Sequence, residues 1–434
     1  MSYLVVNGGK KLNGEITNQS SKNSAEALLC ASLMIKGPVT LTDVPQIEGV
    51  NRILELLSSI GVKISRSGTT VHLDASAELN LDKMDQHAAE VTRTSLLLLG
   101  ALAAREKKYS LYKSGGCHLG ERTVRPHLYA LQKLGVNVVS KDCYYEVKNS
   151  QPLRASHVIL YESGDTTTEN VIMAAILAPG VTTVKMASAN YQVQDLCYFL
   201  NSVGANIAGI GNTTLTITGV EKLQSAQEYP IMPDPIVAMT FISVAITTAS
   251  NLTIKNCPLE FLELELYKLE IMGQKFIIKN ERLSKNGKFK IVDVEIIHGE
   301  LAALPDKIYG RPFPGLNIDN LPLFIPILTQ ARGRTMVHDW AYENRATYSL
   351  ELQKLGAKIT LLDPHRIWVE GPTEFSPADI VCPPALRPAV NILIAMLAAK
   401  GESVLRNTNV IERGYENLYD TLNKVGADIK EVKE

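Results

Sequence analysis

One short phrase occurs six times in this chain, and its recurrence limits the fold more than any other feature. A Leu-rich stretch ends in a hydrophobic residue, then Gly, a small or polar residue, one more residue and a β-branched or aromatic one. The copies are LLSSIGVKI at Gly61, LQKLGVNVV at Gly135, LNSVGANIA at Gly204, LEIMGQKFI at Gly273, LQKLGAKIT at Gly356 and LNKVGADIK at Gly426. They recur about every 70 residues, longer than solenoid periods, so each copy marks a whole folding unit and not one turn of a stack. Gly after a helix supplies the left-handed cap without a Cβ clash, and the residues that follow alternate as a strand does.

The surroundings of each glycine repeat as well. Upstream lies an apolar stretch: AEALLCASLMI, TSLLLLGALAA, ENVIMAAILAPG, PIVAMTFISVAI, LPLFIPILTQARG and AVNILIAMLAAKG. A short β-rich segment follows, then the helix that ends at the repeated Gly, then a pair of strands such as TTLTITGV or RIWVEGP. With one strand ahead, each repeat reads βαβαββ and the chain is an α/β protein of six such repeats. The first helix of each repeat is apolar nearly all round and should be buried, whereas the second is amphipathic and should be peripheral. The fourth repeat is the poorest copy, with a polar segment from Lys279 to Lys290 trailing its MGQKF.

A chain of 434 residues exceeds one core, and six repeats divide into three and three. The expected domains are 22–229 and 1–21 plus 230–434, with the first strand, SYLVVNGG, completing a sheet of the C-terminal half. The 44 Lys and Arg balance 45 Asp and Glu, which gives no electrostatic case for nucleic acid or a charged membrane surface as partner. The apolar run from Ile236 to Ala249 is too short to span a bilayer. Six cysteines without a C-x-x-C pair, together with a start lacking a signal-like segment, are expected of a cytoplasmic protein with reduced thiols and no structural zinc.

Residues able to carry chemistry gather at the joints between strand and helix. Ser20-Ser21-Lys22-Asn23-Ser24 precedes the first apolar helix. Ser and Asn there cap helices, while Lys22 beside free N–H groups makes a phosphate site. Ser114-Gly115-Gly116-Cys117-His118-Leu119-Gly120-Glu121-Arg122 sets a cysteine among glycines, with cations able to lower its pKa. Cys30 and Cys197, by contrast, stand in apolar helices. Arg93, Arg345, Arg387 and Arg413 occupy comparable joints. Each alone reads as a surface ion pair; together with Lys22 and Arg122 they read as arginine forks for a phosphorylated, anionic substrate. Asp319 opens another apolar helix and is read either as a cap or as a base.

With these motifs in place, the chain resembles the enolpyruvyl transferases over its whole length, from NGGKKLNGEI to VGADIKEV. Lys22-Asn23 matches the family's lysine–asparagine pair, and Arg93 its arginine at the next central helix. Cys117 matches the loop cysteine, with Arg122 at the family's spacing. Asp319 matches the acceptor-facing aspartate, Arg345 the E-N-R motif, Arg387 the L-R pair and Arg413 the R-G-Y-E motif. The S-K-S-x-S-N-R signature of the shikimate branch is missing. The resemblance implies a two-domain, inside-out α/β barrel-like fold with the active site in the cleft between domains. It implies transfer of the enolpyruvyl group of phosphoenolpyruvate to a sugar hydroxyl, with release of phosphate and with no metal or organic cofactor. The small-molecule substrates would be phosphoenolpyruvate and a nucleotide sugar.

In that scheme Lys22, Arg93, Arg122, Arg387 and Arg413 neutralise the donor, Cys117 protonates its methylene, Asp319 takes the acceptor's proton and Asn23 helps fix the sugar. Departures from the family pattern cluster on the acceptor side. Arg125 stands where the family has an acidic residue, and Gly164-Asp165-Thr166-Thr167-Thr168 replaces its S-V-G-A-T loop. Ala385 and Val410 replace an expected aspartate and histidine. Two alternatives therefore stay open: the same transfer onto another nucleotide or sugar, and a non-catalytic homologue that binds a phosphorylated ligand. Retention of both Cys117 and Asp319 speaks against the second.

Overall fold

The computed structural model describes residues 2–114, 123–150 and 152–433. They fall into two compact units, one holding residues 2–19 and 233–433, the other residues 20–114 and 123–232. Each unit carries three of the six sheets. The third repeat shows the pattern whole. His157–Ile159 leads to the helix Asp165–Ile176, the strand Val181–Lys185, the helix Tyr191–Ser202 and the strands Asn206–Ala208 and Thr214–Thr218. The first strand pairs parallel with the second, and the remaining pairs are antiparallel. This is the expected βαβαββ unit.

Other repeats borrow strands from far away in sequence. Ala226–Pro230 lies parallel to Pro38–Thr42 and completes the first sheet. Asn13–Thr17 does the same for Asn251–Pro258 in the fourth. Ser2–Gly8 runs antiparallel between Gly401–Arg406 and Ile429–Lys433, so it supplies the last repeat's missing strand. The second sheet has three strands among the described residues, Lys108–Tyr112, Tyr144–Asn149 and Val136–Ser140, and no leading strand. The polar tail of the fourth repeat is no loose insertion. It is a long hairpin of Lys275–Leu283 on Lys290–Ile297.

All six repeated glycines have positive φ, between 89° at Gly273 and 105° at Gly426. Each stops its helix with an αL residue, where an L side chain would be strained. The apolar helices are central as expected. Every residue of Pro235–Thr247 is buried, as is required of a helix without a polar face. Asp234 starts that helix by accepting from the N–H groups of Ile236 (2.7 Å) and Val237 (3.2 Å), with Pro235 at the first turn where no donor is needed. In the second repeat the central helix passes so close to Asp165–Ile176 that a Cβ on Gly100 would meet the Asn170 backbone oxygen at 2.3 Å.

The second helices divide. Glu48–Ser59 buries only Val50, Ile53, Leu56 and Leu57, as an amphipathic surface helix does. Tyr191–Ser202 departs from expectation, because nine of its residues are buried, including Gln192, Gln194 and Asp195. It is enclosed because it also packs on Lys22–Ala31.

Candidate active site

In the unit of residues 20–232, chemistry-bearing groups collect at the starts of the central helices. Lys22 is the first residue of the helix Lys22–Ala31, whose cap Ser21 accepts from the Ser24 N–H at 3.1 Å. Capping and presentation of Lys22 are therefore one local structure. The Lys22 ammonium lies 3.3 Å from Glu26 Oε1, one turn on, with side-chain exposures of 27 % and 3 %. Asn23 donates to the Tyr191 hydroxyl at 2.8 Å. Half-buried Arg93 begins the short helix Arg93–Leu97, and the next residue, Thr94, donates to Glu26 Oε2 at 2.5 Å.

Asn170 organises the neighbourhood of Arg93. Its oxygen accepts from Gly100 N at 2.7 Å, and its nitrogen donates to Leu96 O and to His127 Nδ1, both at 3.0 Å. Nδ1 of His127 thus accepts, which puts the ring proton on Nε2. Burial, then the Arg93 charge, pull the His127 pKa down to about 4, so the ring is neutral. Asp165, in the segment Gly164–Thr168, accepts from Ser188 Oγ (2.5 Å) and Asn190 Nδ2 (3.0 Å). One turn on, burial, then Asp165 and Glu26, push the Glu169 carboxyl well above its ordinary range.

The unit of residues 2–19 and 233–433 carries a second set. Asp319 does not cap its helix, since the cap position falls to Asn320. Its carboxylate instead takes Arg345 Nη1 at 3.2 Å. Arg345 is buried, with 2 % of its side chain exposed. It forks onto Asp339, Nε to Oδ2 at 2.6 Å and Nη2 to Oδ1 at 2.9 Å, and Nη2 also donates to Ile318 O at 2.5 Å. Burial, the largest single influence, lowers the Arg345 pKa, but Asp339, Tyr342 and Asp319 together outweigh it and the pKa rises. The backbone around Asp319 is braced from below: Asn317 Oδ1 accepts from Asp319 N at 2.8 Å, and Glu265 Oε1 accepts from Asn320 Nδ2 at 2.8 Å. Arg387 heads the helix Leu386–Ala398 and donates to the Tyr415 hydroxyl at 2.6 Å, which meets Thr240 Oγ1 at 2.8 Å. Arg413 is exposed just past the short helix Asn409–Glu412.

Of the residues expected from sequence, the structure brings Lys22, Asn23 and Arg93 to one neighbourhood, and Asp319 and Arg345 into direct contact. Cys117 and Arg122 lie outside the described residues. Glu26, Asp339 and Glu265 do not stand out in the sequence. A single charge in the otherwise apolar AEALLCA is the available sign for Glu26. Among the described cysteines, Cys30, Cys197, Cys257 and Cys382 are buried and Cys143 is exposed; burial pushes the Cys382 thiol up to about 12. No group of metal-ligating side chains stands together among the described residues, and no helix there is long and apolar enough to cross a membrane.

Two sets of cations and carboxylates at helix starts, on a frame of six related α/β repeats, define a class, and sequence comparison agrees with it. The chain belongs to the EPSP synthase (3-phosphoshikimate 1-carboxyvinyltransferase) family, whose model matches residues 6–422, and it is an enzyme of the transferase class. Within that family it is similar to proteins of a particular activity. It is 35 % identical to the UDP-N-acetylglucosamine 1-carboxyvinyltransferase of Borreliella burgdorferi over 435 residues, covering all of both chains. It is 32 % identical to the enzyme of the same name from Bacteroides thetaiotaomicron over 442 residues, again covering both in full. The enolpyruvyl transferase NikO from Streptomyces tendae superposes with a TM-score of 0.85 at 23 % identity, covering 100 % of this chain and 99 % of that one. An EPSP synthase from Acinetobacter baumannii superposes at 0.78 and 18 %, covering all of both chains. These last two likenesses establish the fold, which is that of the enolpyruvyl transferases.

Proposed function

We propose that this protein transfers the enolpyruvyl group of phosphoenolpyruvate to the 3-hydroxyl of UDP-N-acetylglucosamine with release of phosphate. That is the first committed step of peptidoglycan synthesis and would serve cell-wall biogenesis and cell shape from the cytoplasm. The observation that carries this reading is full-length similarity, above 30 %, to bacterial proteins named for that activity. The two sets of side chains supply the roles. Lys22, Arg93, Arg387 and Arg413 offset the charge of the donor phosphate and carboxylate, with Arg122 as a further cation. Asp319, 28 % exposed on a buried arginine, takes the proton from the acceptor hydroxyl as its oxygen bonds to C2 of the donor. Cys117 delivers a proton to C3 in the same step. When C3 gives a proton back, the C2–O bond to phosphate breaks and the enol ether is complete. Asn23 and the Gly164–Thr168 segment belong to the acceptor's side of the reaction.

Phosphate release from phosphoenolpyruvate, measured with a panel of acceptors, tests this reading. UDP-N-acetylglucosamine should support turnover and shikimate 3-phosphate should not. Asp319→Ala should lower turnover about 10²- to 10⁴-fold, the usual contribution of a general base. Cys117→Asp should retain turnover while losing alkylation at that position. Release only with another acceptor would move the protein to a different branch of the family.

A further inference from the structure

One buried charge has no part in the chemistry above. Glu26 sits in KNSAEALLCA with 3 % of its side chain exposed, and burying a carboxylate is costly unless it is paired. Its two oxygens face two different repeats. Oε1 lies 3.3 Å from Lys22 Nζ, a charge contact without the geometry of a directed hydrogen bond. Oε2 accepts the Thr94 hydroxyl at 2.5 Å, one residue along from Arg93. Burial, then Asp165 and Glu26, push the Glu169 carboxyl well above its ordinary range. A buried ion pair is weak evidence for a stabilising role, because replacing one by apolar side chains is often neutral or stabilising.

We infer that Glu26 is a positioning residue: one buried carboxylate holds Lys22 and, through Thr94, the segment bearing Arg93 in a single arrangement for the donor phosphate. This rests on the assignment of phosphoenolpyruvate as donor. Glu26 is too buried to meet the donor and acts through its two partners. A lysine side chain gives up much rotamer freedom when it is held in one arrangement. A tether one turn along the helix removes part of that cost before the ligand arrives, which is what preorganisation contributes to binding.

The experiment uses the full-length enzyme. Glu26→Gln keeps the size and can still accept from Thr94 but loses the charge facing Lys22. The KM for phosphoenolpyruvate should rise about 3- to 10-fold, the range expected when one rotamer-rich side chain must be ordered on binding. The acceptor KM and kcat should stay within about threefold, and the thermal midpoint should stay close to that of the wild type, because Lys22, the partner left behind, is 27 % exposed. Glu26→Asp should restore part of the donor KM, and Thr94→Val should raise it less than Glu26→Gln does. An unchanged donor KM in Glu26→Gln overturns the inference. So does an equal loss in kcat and both KM values with a lowered midpoint, which marks a merely structural role. If Glu26→Gln does not fold, the donor KM of Thr94→Val decides. If the wild type is inactive with UDP-N-acetylglucosamine, the acceptor assignment fails alone, and calorimetric titration of phosphoenolpyruvate into the same variants decides the role of Glu26. A wild type that does not bind phosphoenolpyruvate overturns the inference together with the donor assignment.

Discussion

The two units present their reactive groups in opposite senses. In the unit of residues 20–232 the buried member of the pair is an acid, Glu26 at 3 % exposure, and the presented member is a cation, Lys22 at 27 %. In the other unit the buried member is a cation, Arg345 at 2 %, and the presented member is a carboxylate, Asp319 at 28 %. In each pair the hidden charge fixes the visible one, and the sign of the visible one suits its proposed role, positive for a phosphate and negative for an acceptor's proton. The supports differ in strength. Arg345 is held by the fork onto Asp339 and by the Ile318 carbonyl, whereas Glu26 has one hydroxyl and one charge contact. Asp319 is therefore the more rigidly held, in keeping with a base that must reach a single hydroxyl.

The largest effect that could break this comparison comes from the buried arginine. Arg345→Met should destabilise its unit by about 3–5 kcal/mol, because the buried Asp339 would lose the guanidinium that forks onto it. Denaturant unfolding measures this, and a cost near that of an exposed pair would remove the contrast with Glu26. Next comes pH. Each unit hides one carboxyl that burial pushes up to about 7, Asp195 in one and Glu265 in the other, even though hydrogen bonds from Tyr229 and from Asn320 pull back. Both pKa values lie above those of the unfolded chain, so the folded state binds the extra proton. The contribution to stability is complete below about pH 4, is lost as pH rises toward 7 and is flat beyond. Asp195→Asn and Glu265→Gln should each flatten that slope by up to a few kcal/mol. Stability measured between pH 4 and 8 that does not change slope in either variant would show these carboxyls to be ionised throughout. The smallest effect concerns the frame. Gly356→Ala should cost about 1 kcal/mol from strain alone, since φ is 95° and the added Cβ would meet Glu374 O at an ordinary 3.6 Å. A thermal midpoint unchanged by that substitution would mean the cap is not strained.

The frame is legible in the sequence because it is local. A helix, a left-handed Gly and an alternating strand are written within nine residues, and six copies confirm one another. The borrowed strands are less legible. Nothing in AQEYP or NGEIT says that it pairs with Pro38–Thr42 or Asn251–Pro258, because backbone pairing between distant segments leaves no local pattern. The site divides the same way. Lys22, Arg93, Asp319 and Arg345 stand in recognisable phrases. The burial of Arg345 is hidden by its polar surroundings YENR, since its depth comes from Asp339 and from Tyr342, whose ring lies 4.1 Å away. Tyr191–Ser202 reads as peripheral, wrongly, for a related reason. Its polar residues look outward in sequence, yet Asp195 serves Tyr229 and the Met232 amide in the core.

The strand Ser2–Gly8 has a consequence for how the protein is made. Its seven residues are synthesised roughly 400 positions ahead of both partners, Gly401–Arg406 and Ile429–Lys433. At about 5–20 residues per second a ribosome needs on the order of 20–80 s to cover that distance. Throughout that interval Leu4 and Val6, which end fully buried, remain an open sticky edge. Residues 20–232 need not wait, because Ala226–Pro230 closes their own first sheet as soon as it emerges. One unit can therefore close its sheets during synthesis, while the other cannot complete its last sheet until the chain is nearly finished.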